Sequence, residues 1–151
     1  MDLEVRSNFP WPSCGLSNFA KYPFTMDGEF FAGMEGFLQG CKVRNIEHQR
    51  KIFMLTGIEA MTAGRSFASK KDKGTLFFKG VPFSRYSERW QTLMRTAYFQ
   101  CAIQNREFRI ALRASKGKTL KHTMAKDYTK DETIITVDEF LGFLNEMRDL
   151  L

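Results

Sequence analysis

The chain has 151 residues, of which 43% are hydrophobic and 15 are phenylalanine. This length is enough to bury a core without disulfides or a structural metal, and the apolar content excludes a disordered or low-complexity protein. The net charge of +6 favours partners that carry phosphate, such as nucleotides or nucleic acid, although basic residues also serve solubility alone. We expect a single domain over residues 1–151.

Cysteine spacing and hydropathy narrow the class of protein. Cys14, Cys41 and Cys101 are far apart and form no C-x-x-C motif, which argues against a disulfide framework and a zinc site. His48 and His122 have no partner at metal-ligand spacing, so no metal and no cofactor is expected. Because no apolar run has the length of a membrane span or a signal peptide, a cytoplasmic protein without membrane contact is expected.

The predicted elements start with an antiparallel hairpin, because Asp27-Gly28 separates two short apolar segments. Residues 67–83 mix lysine with phenylalanine and predict a loop or a second hairpin. The helix signals, in chain order, are a glycine-rich helix over 33–42, a cap at Asn45, a Thr56–Glu59 capping box before a helix ending near Gly64, a long helix opening at Ser84, a break near Asn105, a helix over Glu107 to Arg113, and a Thr136–Glu139 capping box before a final helix. The fold class predicted is α+β, a mostly helical domain with a small antiparallel sheet.

The first helix, "GMEGFLQGCK" over Gly33–Lys42, combines an apolar stripe with three glycines that weaken a helix. Glu35, Gln39 and Lys42 share a face about 60° wide that borders the stripe. A carboxylate and an amine at the edge of a core, beside a bare glycine face, are typical of a pocket wall. The same charges also complement the helix dipole, and the glycines also permit tight helix packing, so spacing alone leaves both interpretations open.

Several blocks, in order and spacing over nearly the whole chain, resemble the NADAR family. The first is Leu16-Ser17-Asn18-Phe19, which matches an S-N-F element ahead of the Asp27-Gly28 turn. The others are Met34 to Lys42, similar to S-E-H-Y-F-Q-A-Q-K; Ala60 to Arg65, similar to A-x-x-x-G-R; Met94 to Ala97, similar to V-M-R-x-A; Leu120 to Thr123, similar to L-x-E-H-T; and Phe140 to Asp149, similar to L-G-x-L-L-M-x-x-R.

The resemblance implies an α+β N-glycosidase that cleaves a bond between a ribose carbon and a nitrogen. Its substrate would be ADP-ribosylated guanine in DNA, RNA or nucleosides, or a phosphoribosylated riboflavin intermediate. By position, Glu35 would be the acid/base or electrostatic catalyst, Lys42 the Schiff-base nucleophile and Asp131 a further catalytic residue. The substrate-binding residues implied are Asn18, Phe19, Gln39, Arg65, Tyr86 and Trp90.

The sequence departs from the family pattern at the proposed site. Thr129-Lys130 replaces the Trp-Gly that precedes the aspartate at Asp131, which keeps a non-catalytic ADP-ribose or nucleotide-binding module as an alternative. Gly36 and Gly40 replace larger residues and predict a roomier or differently filled pocket. Trp90 lies in the apolar stripe of its helix, so both a core role and a stacking role are open.

Four lysines in the insertion over 66–83 are interleaved with Phe77 and Phe78. Cations next to aromatic rings favour contact with a nucleic-acid strand, and a solvated basic loop has the same composition. The lysines concerned are Lys70, Lys71, Lys73 and Lys79.

Overall fold

The computed structural model describes residues 1–66 and 74–151. Within these residues the six helices, α1 to α6, are Met34–Gly40, Ile46–Phe53, Gly57–Arg65, Glu88–Gln104, Arg106–Ala114 and Val137–Asp149. The strands β1 to β6 are Asp2–Glu4, Phe24–Met26, Glu29–Phe31, Thr75–Phe78, Val81–Ser84 and Thr119–Lys121. The α+β class predicted from the sequence is confirmed.

The described strands form three separate pairs instead of one small sheet. Pairs β2–β3 and β4–β5 are antiparallel hairpins. Of the segment 67–83, predicted as a loop or a second hairpin, the described part forms the second hairpin, and residues 67–73 lie outside the described residues. The third pair, β1–β6, is parallel and aligns Leu3 with Leu120. Such a pairing between distant segments has no local signal, because a parallel pair needs a long crossover rather than a turn.

The turn and cap predictions have mixed outcomes. Asp27 and Gly28 both have positive φ, 52° and 78°, as a two-residue hairpin turn requires. The Asn45 side chain caps α2, and Thr136 with Glu139 forms a complete capping box on α6. Thr56 precedes α3, but its side chain makes no capping bond, so that capping box was wrong.

The start of the long helix α4 also differs from its prediction. Ser84 ends β5, and the helix begins four residues after it, at Glu88, with Ser87 as the cap. Ser84 and Ser87 are the same residue type only three positions apart, so the sequence did not show which of them precedes the helix. The break near Asn105 is confirmed, since Asn105 divides α4 from α5.

Aromatic rings form the centre of the core. Phe31 packs against Phe24, Phe37 and Phe53 with ring centroids 4.6–5.3 Å apart. Phe37 in turn stacks on Trp90 of α4 at 5.8 Å. Helix α1 is buried along its whole length in this cluster, which fixes the position of every side chain that it carries.

The glycines of α1 let α2 approach closely. A Cβ on Gly36 would lie 2.4 Å from the Leu55 carbonyl oxygen, and one on Gly40 would lie 2.4 Å from the Phe53 ring. The space that these glycines free is therefore occupied by α2 and the residues after it. This corrects the expectation of a roomier pocket and favours tight helix packing.

We expect Gly36→Ala to lower the free energy of unfolding by about 1–3 kcal/mol, because the neighbouring atom is backbone that cannot turn aside. Gly142→Ala on α6 is the matched control: a Cβ there meets open space, so the helix gains up to about 1 kcal/mol. Urea denaturation of both variants measures the difference. Equal stabilisation by both would show that the α1–α2 contact is looser than described.

Candidate functional site

Helix α1 presents a buried carboxylate at its N-terminal end. Glu35 is 8% exposed, and Gln39 Nε2, one turn later, donates a 2.8 Å hydrogen bond to Glu35 Oε1. The Glu35 backbone N–H donates to the Asn18 carbonyl oxygen at 3.2 Å. The predicted residues Asn18, Glu35 and Gln39 are therefore together in the structure.

Burial perturbs the acid and the amine in opposite directions. Desolvation raises the pKa of Glu35, and the Gln39 hydrogen bond and the charge of Lys42 oppose this only in part. Desolvation also lowers the pKa of Lys42; the Arg65 charge adds to the effect and the Glu35 charge opposes it. A raised pKa favours the protonated form of the acid and a lowered pKa favours the neutral form of the amine, which are the forms that proton donation and nucleophilic attack need.

Helix α3 lies next to Gln39 and Lys42. Arg65, its last residue, is exposed and close enough for its charge to act on Lys42. Gly64 lies against the side chain of Gln39, and a Cβ there would be 1.9 Å from Gln39 Oε1. Among the described residues, no hydrogen-bond donor reaches that buried oxygen. Gly64 thus fixes the amide that holds Glu35.

We expect Gly64→Ala to displace the Gln39 amide and break its hydrogen bond to Glu35. Because that bond lowers the pKa of Glu35, its loss should raise the pKa further. Carbon-13 NMR of the Glu35 carboxyl, followed through a pH titration, measures the shift. Gly142→Ala is the control for adding a methyl group to a helix, and an identical Glu35 titration in both variants would contradict the role of Gly64.

Tyr98 of α4 completes the group, and sequence reasoning missed it. Its hydroxyl donates a 2.6 Å hydrogen bond to Asn18 Oδ1. Burial raises the pKa of Tyr98 well above its ordinary value; the Asn18 hydrogen bond opposes the rise and the Glu35 charge adds to it. Tyr98 follows Ala97 on the apolar face of a long helix, so its position indicated only the core.

The remaining predicted residues lie elsewhere. Phe19 is half-buried beside Gly57 at the start of α3. Tyr86 is 56% exposed and Asp131 is exposed in the loop before α6. Neither makes a hydrogen bond or ion pair with Glu35 or Lys42 in the described part of the chain, so their roles stay predictions.

Trp90 needs a correction. It is fully buried, its Nε1–H donates to the Ile134 carbonyl oxygen at 3.1 Å, and Phe37 and Phe83 stack on it at 5.8 Å. A ring enclosed in this way has no face for a substrate. The structure therefore places Trp90 in the core, and it is not a substrate-binding residue.

Of the predicted basic patch, Lys70, Lys71 and Lys73 lie outside the described residues. Lys79 lies in the β4–β5 turn, where its Nζ donates to the Asp27 carbonyl oxygen at 2.9 Å. This contact joins the tips of the two hairpins. The role of the four lysines in binding nucleic acid stays a prediction.

Residues 1–66 and 74–151 also bear on metal binding, membrane spanning and ligand-sized grooves. No group of three or more His, Cys, Asp or Glu side chains there is arranged to hold a metal ion. No helix there has the length and apolar character for crossing a membrane. An open groove of about 800 Å³ runs between the β2–β3 turn and α4, but its walls include neither Glu35 nor Lys42.

Comparison with known proteins shows the family and the fold of the chain. It is 62% identical over 150 residues, 99% of both chains, to the "Uncharacterized 17.1 kDa protein in Gp30-rIII intergenic region" of Enterobacteria phage T4. The NMR structure of the E. coli protein YbiA has the same fold, with a TM-score of 0.65 and 18% identity over 99% of this chain and 86% of YbiA. A family model described as "Bacteriophage protein GP30.3" matches residues 10–149. Since that match spans almost the entire sequence, the chain belongs to the Bacteriophage protein GP30.3 family.

Proposed function

We propose that this protein is an N-glycosidase of the NADAR type that hydrolyses the ribose C–N bond of ADP-ribosylated guanine. The observation that carries the proposal is the buried carboxyl of Glu35 within range of the charge of the half-buried Lys42, with the pKa of the acid raised and that of the amine lowered. The fold shared with YbiA, a NADAR member, supports the same conclusion.

Glu35 suits the departure of the base. Breaking a glycosidic bond develops positive charge on the sugar, and the bonding electron pair leaves with the base nitrogen, which takes up a proton. A carboxyl with a raised pKa can donate that proton, and its carboxylate then stabilises the cationic sugar. The Gln39 hydrogen bond keeps Glu35 in one orientation while this occurs.

Lys42 suits covalent catalysis. Its neutral Nζ would attack C1 of the ribose as the bond to the base breaks. The sugar ring would then open: the nitrogen lone pair forms the C=N bond, the C1–O electron pair moves to the ring oxygen, and that oxygen takes up the proton that Nζ loses, leaving a protonated imine. Water then adds to the imine carbon and releases ADP-ribose and the free lysine. The lowered pKa of Lys42 favours the neutral amine that this step requires.

The test is to incubate the protein with ADP-ribosylated guanosine and ADP-ribosylated DNA and to measure released ADP-ribose. Borohydride reduces an imine between the protein and the sugar to a stable adduct. The adduct should be absent in Lys42→Ala and present in Lys51→Ala, a control on the exposed face of α2. Binding of ADP-ribose without turnover would instead make the protein a binding module. Turnover of a phosphoribosylated riboflavin intermediate alone would retain the reaction and change the substrate.

Two substitutions are expected to move the pKa of Lys42 in opposite directions. Arg65→Gln removes a cation that lowers it, so the pKa should rise; Glu35→Gln removes an anion that raises it, so the pKa should fall. The neutral fraction of Lys42 at pH 7 therefore decreases in the first variant and increases in the second. Reductive methylation of Lys42 at a series of pH values, read by mass spectrometry, measures both, and shifts of the same sign would contradict the proposed charge arrangement.

A further inference from the structure

A cavity of about 200 Å³ lies beside Asn18, between the segment after β6 and the start of α6. Its volume equals that of about seven waters at roughly 30 Å³ each, which suits a heterocycle of one or two fused rings. Its walls include neither Glu35 nor Lys42, and the link to the site described above is Asn18, which accepts a hydrogen bond from the Glu35 backbone. Those walls include Asn18, His122, Tyr128, Thr133, Ile135 and Phe140.

Asn18 connects this cavity to the catalytic carboxyl. Its carbonyl oxygen accepts the Glu35 backbone N–H, and its side-chain oxygen accepts the Tyr98 hydroxyl. Asn18, which borders the cavity, is therefore held by one hydrogen bond from Glu35 and one from Tyr98. The cavity thus borders a residue that contacts the backbone of the acid.

His122 presents a hydrogen-bond acceptor in the cavity wall. Its Nδ1 is 2.7 Å from the Val5 carbonyl oxygen, and since a carbonyl oxygen only accepts, Nδ1 carries the hydrogen. In the neutral imidazole, Nε2 is then an acceptor. The edge of the Phe140 ring, at 5.3 Å and 66°, fixes the plane of the imidazole.

The two ends of α1 differ in the charged groups around them. Lys42 lies just beyond the C-terminal end of the helix, where the nearby charge of Arg65 suits phosphate, whereas the cavity borders Asn18, which is bonded to the Glu35 backbone near the N-terminal end. Its one basic side chain, Lys126, stands over the Tyr128 ring with Nζ 4.9 Å from the centroid. The rest of the wall is aromatic, aliphatic or neutral, which suits an uncharged planar ring.

We propose that this cavity is the subsite for the purine base that leaves the ribose, with His122 Nε2 accepting a base N–H and the Tyr128 ring lying against the base. The inference rests on the proposed N-glycosidase reaction and assigns its leaving-group site. It favours guanine over adenine: guanine presents two neighbouring donors to Nε2, a ring N–H and an exocyclic amine, whereas the ring nitrogen beside the adenine amine carries a lone pair that repels the lone pair of Nε2.

The experiment is a titration of the protein with guanosine and with adenosine, followed by amide NMR and isothermal calorimetry. Guanosine should shift the resonances of Asn18, His122 and Tyr128 and bind more tightly than adenosine. His122→Asn keeps an amide donor for the Val5 carbonyl, but the shorter side chain has no acceptor at the position of Nε2, so affinity for guanosine should fall about tenfold. Tyr128→Ala should weaken binding of both nucleosides by about tenfold.

Met124→Ala is the matched control, since that side chain is 58% exposed in the same loop and is not part of the wall. Guanosine shifts confined to another surface, or unchanged affinity in His122→Asn and Tyr128→Ala, would overturn the subsite. Release of ADP-ribose with an unchanged KM in those two variants would overturn the subsite and leave the reaction standing. Guanosine binding in the cavity without any turnover would support the subsite and overturn the reaction.

Discussion

Glu35→Gln is expected to lower the rate of ADP-ribose release by about 10²–10⁴-fold, the usual contribution of a general acid. The same substitution should stabilise the fold at neutral pH. Burial raises the pKa of Glu35 in the folded state, so ionising it costs more there than in the unfolded chain. The wild type therefore loses stability as pH rises through the raised pKa, whereas the glutamine variant has no such loss.

Steady-state kinetics and thermal unfolding at a series of pH values measure the two effects together. Glu59→Gln is the control, because Glu59 is exposed on α3 and should change neither the rate nor the pH dependence of stability. A variant at Glu35 that keeps its activity would remove this residue from the mechanism. A rate loss with reduced stability would indicate a structural role for the carboxylate instead.

Arg85→Met is expected to lower the free energy of unfolding by about 3–5 kcal/mol, because it leaves a buried carboxylate without its cation. Arg85 and Glu139 are 3% and 9% exposed in their side chains and pair at 2.6 Å. Burial alone would raise the pKa of Glu139, but hydrogen bonds, first of all from Arg85, bring it below its ordinary value. Stability from this pair is therefore lost as pH falls through that lowered pKa.

Urea denaturation gives the stability change, and two comparisons define its origin. In the double variant with Glu139→Gln, removal of the unpaired charge should recover part of the loss. Arg95→Met removes an ion pair to Glu146 whose side chains are 50% and 42% exposed, and it should cost less than about 1 kcal/mol. Equal costs for Arg85→Met and Arg95→Met would show that burial does not strengthen the first pair.

Local signals predicted the fold where the structure depends on local contacts. The Asp27-Gly28 turn, the Asn45 cap and the Thr136 capping box each depend on residues within three positions, and all are found. The parallel β1–β6 pair was missed because it joins segments more than a hundred residues apart. Helical periodicity likewise indicated that α1 is buried without identifying α2 as the element against its glycines.

The candidate site shows the same difference between local signals, which predicted its residues, and long-range contacts, which did not. Helix spacing placed Glu35, Gln39 and Lys42 on one face, and the structure shows Glu35 bonded to Gln39 and under the charge of Lys42. Spacing within α1 carried no information about Tyr98, which reaches Asn18 from a helix 80 positions away in the sequence. Trp90 was ambiguous for a related reason: an apolar stripe predicts burial, and only the packed rings decide it.

The environment of Trp90 makes it a built-in optical probe. The chain has two tryptophans, and the other one, Trp11, is 53% exposed. Replacing Trp11 with phenylalanine would leave one indole, whose N–H is bonded to the Ile134 carbonyl in the loop that borders the cavity. The emission wavelength of that single indole then reports whether the loop is packed against Trp90, without any added label.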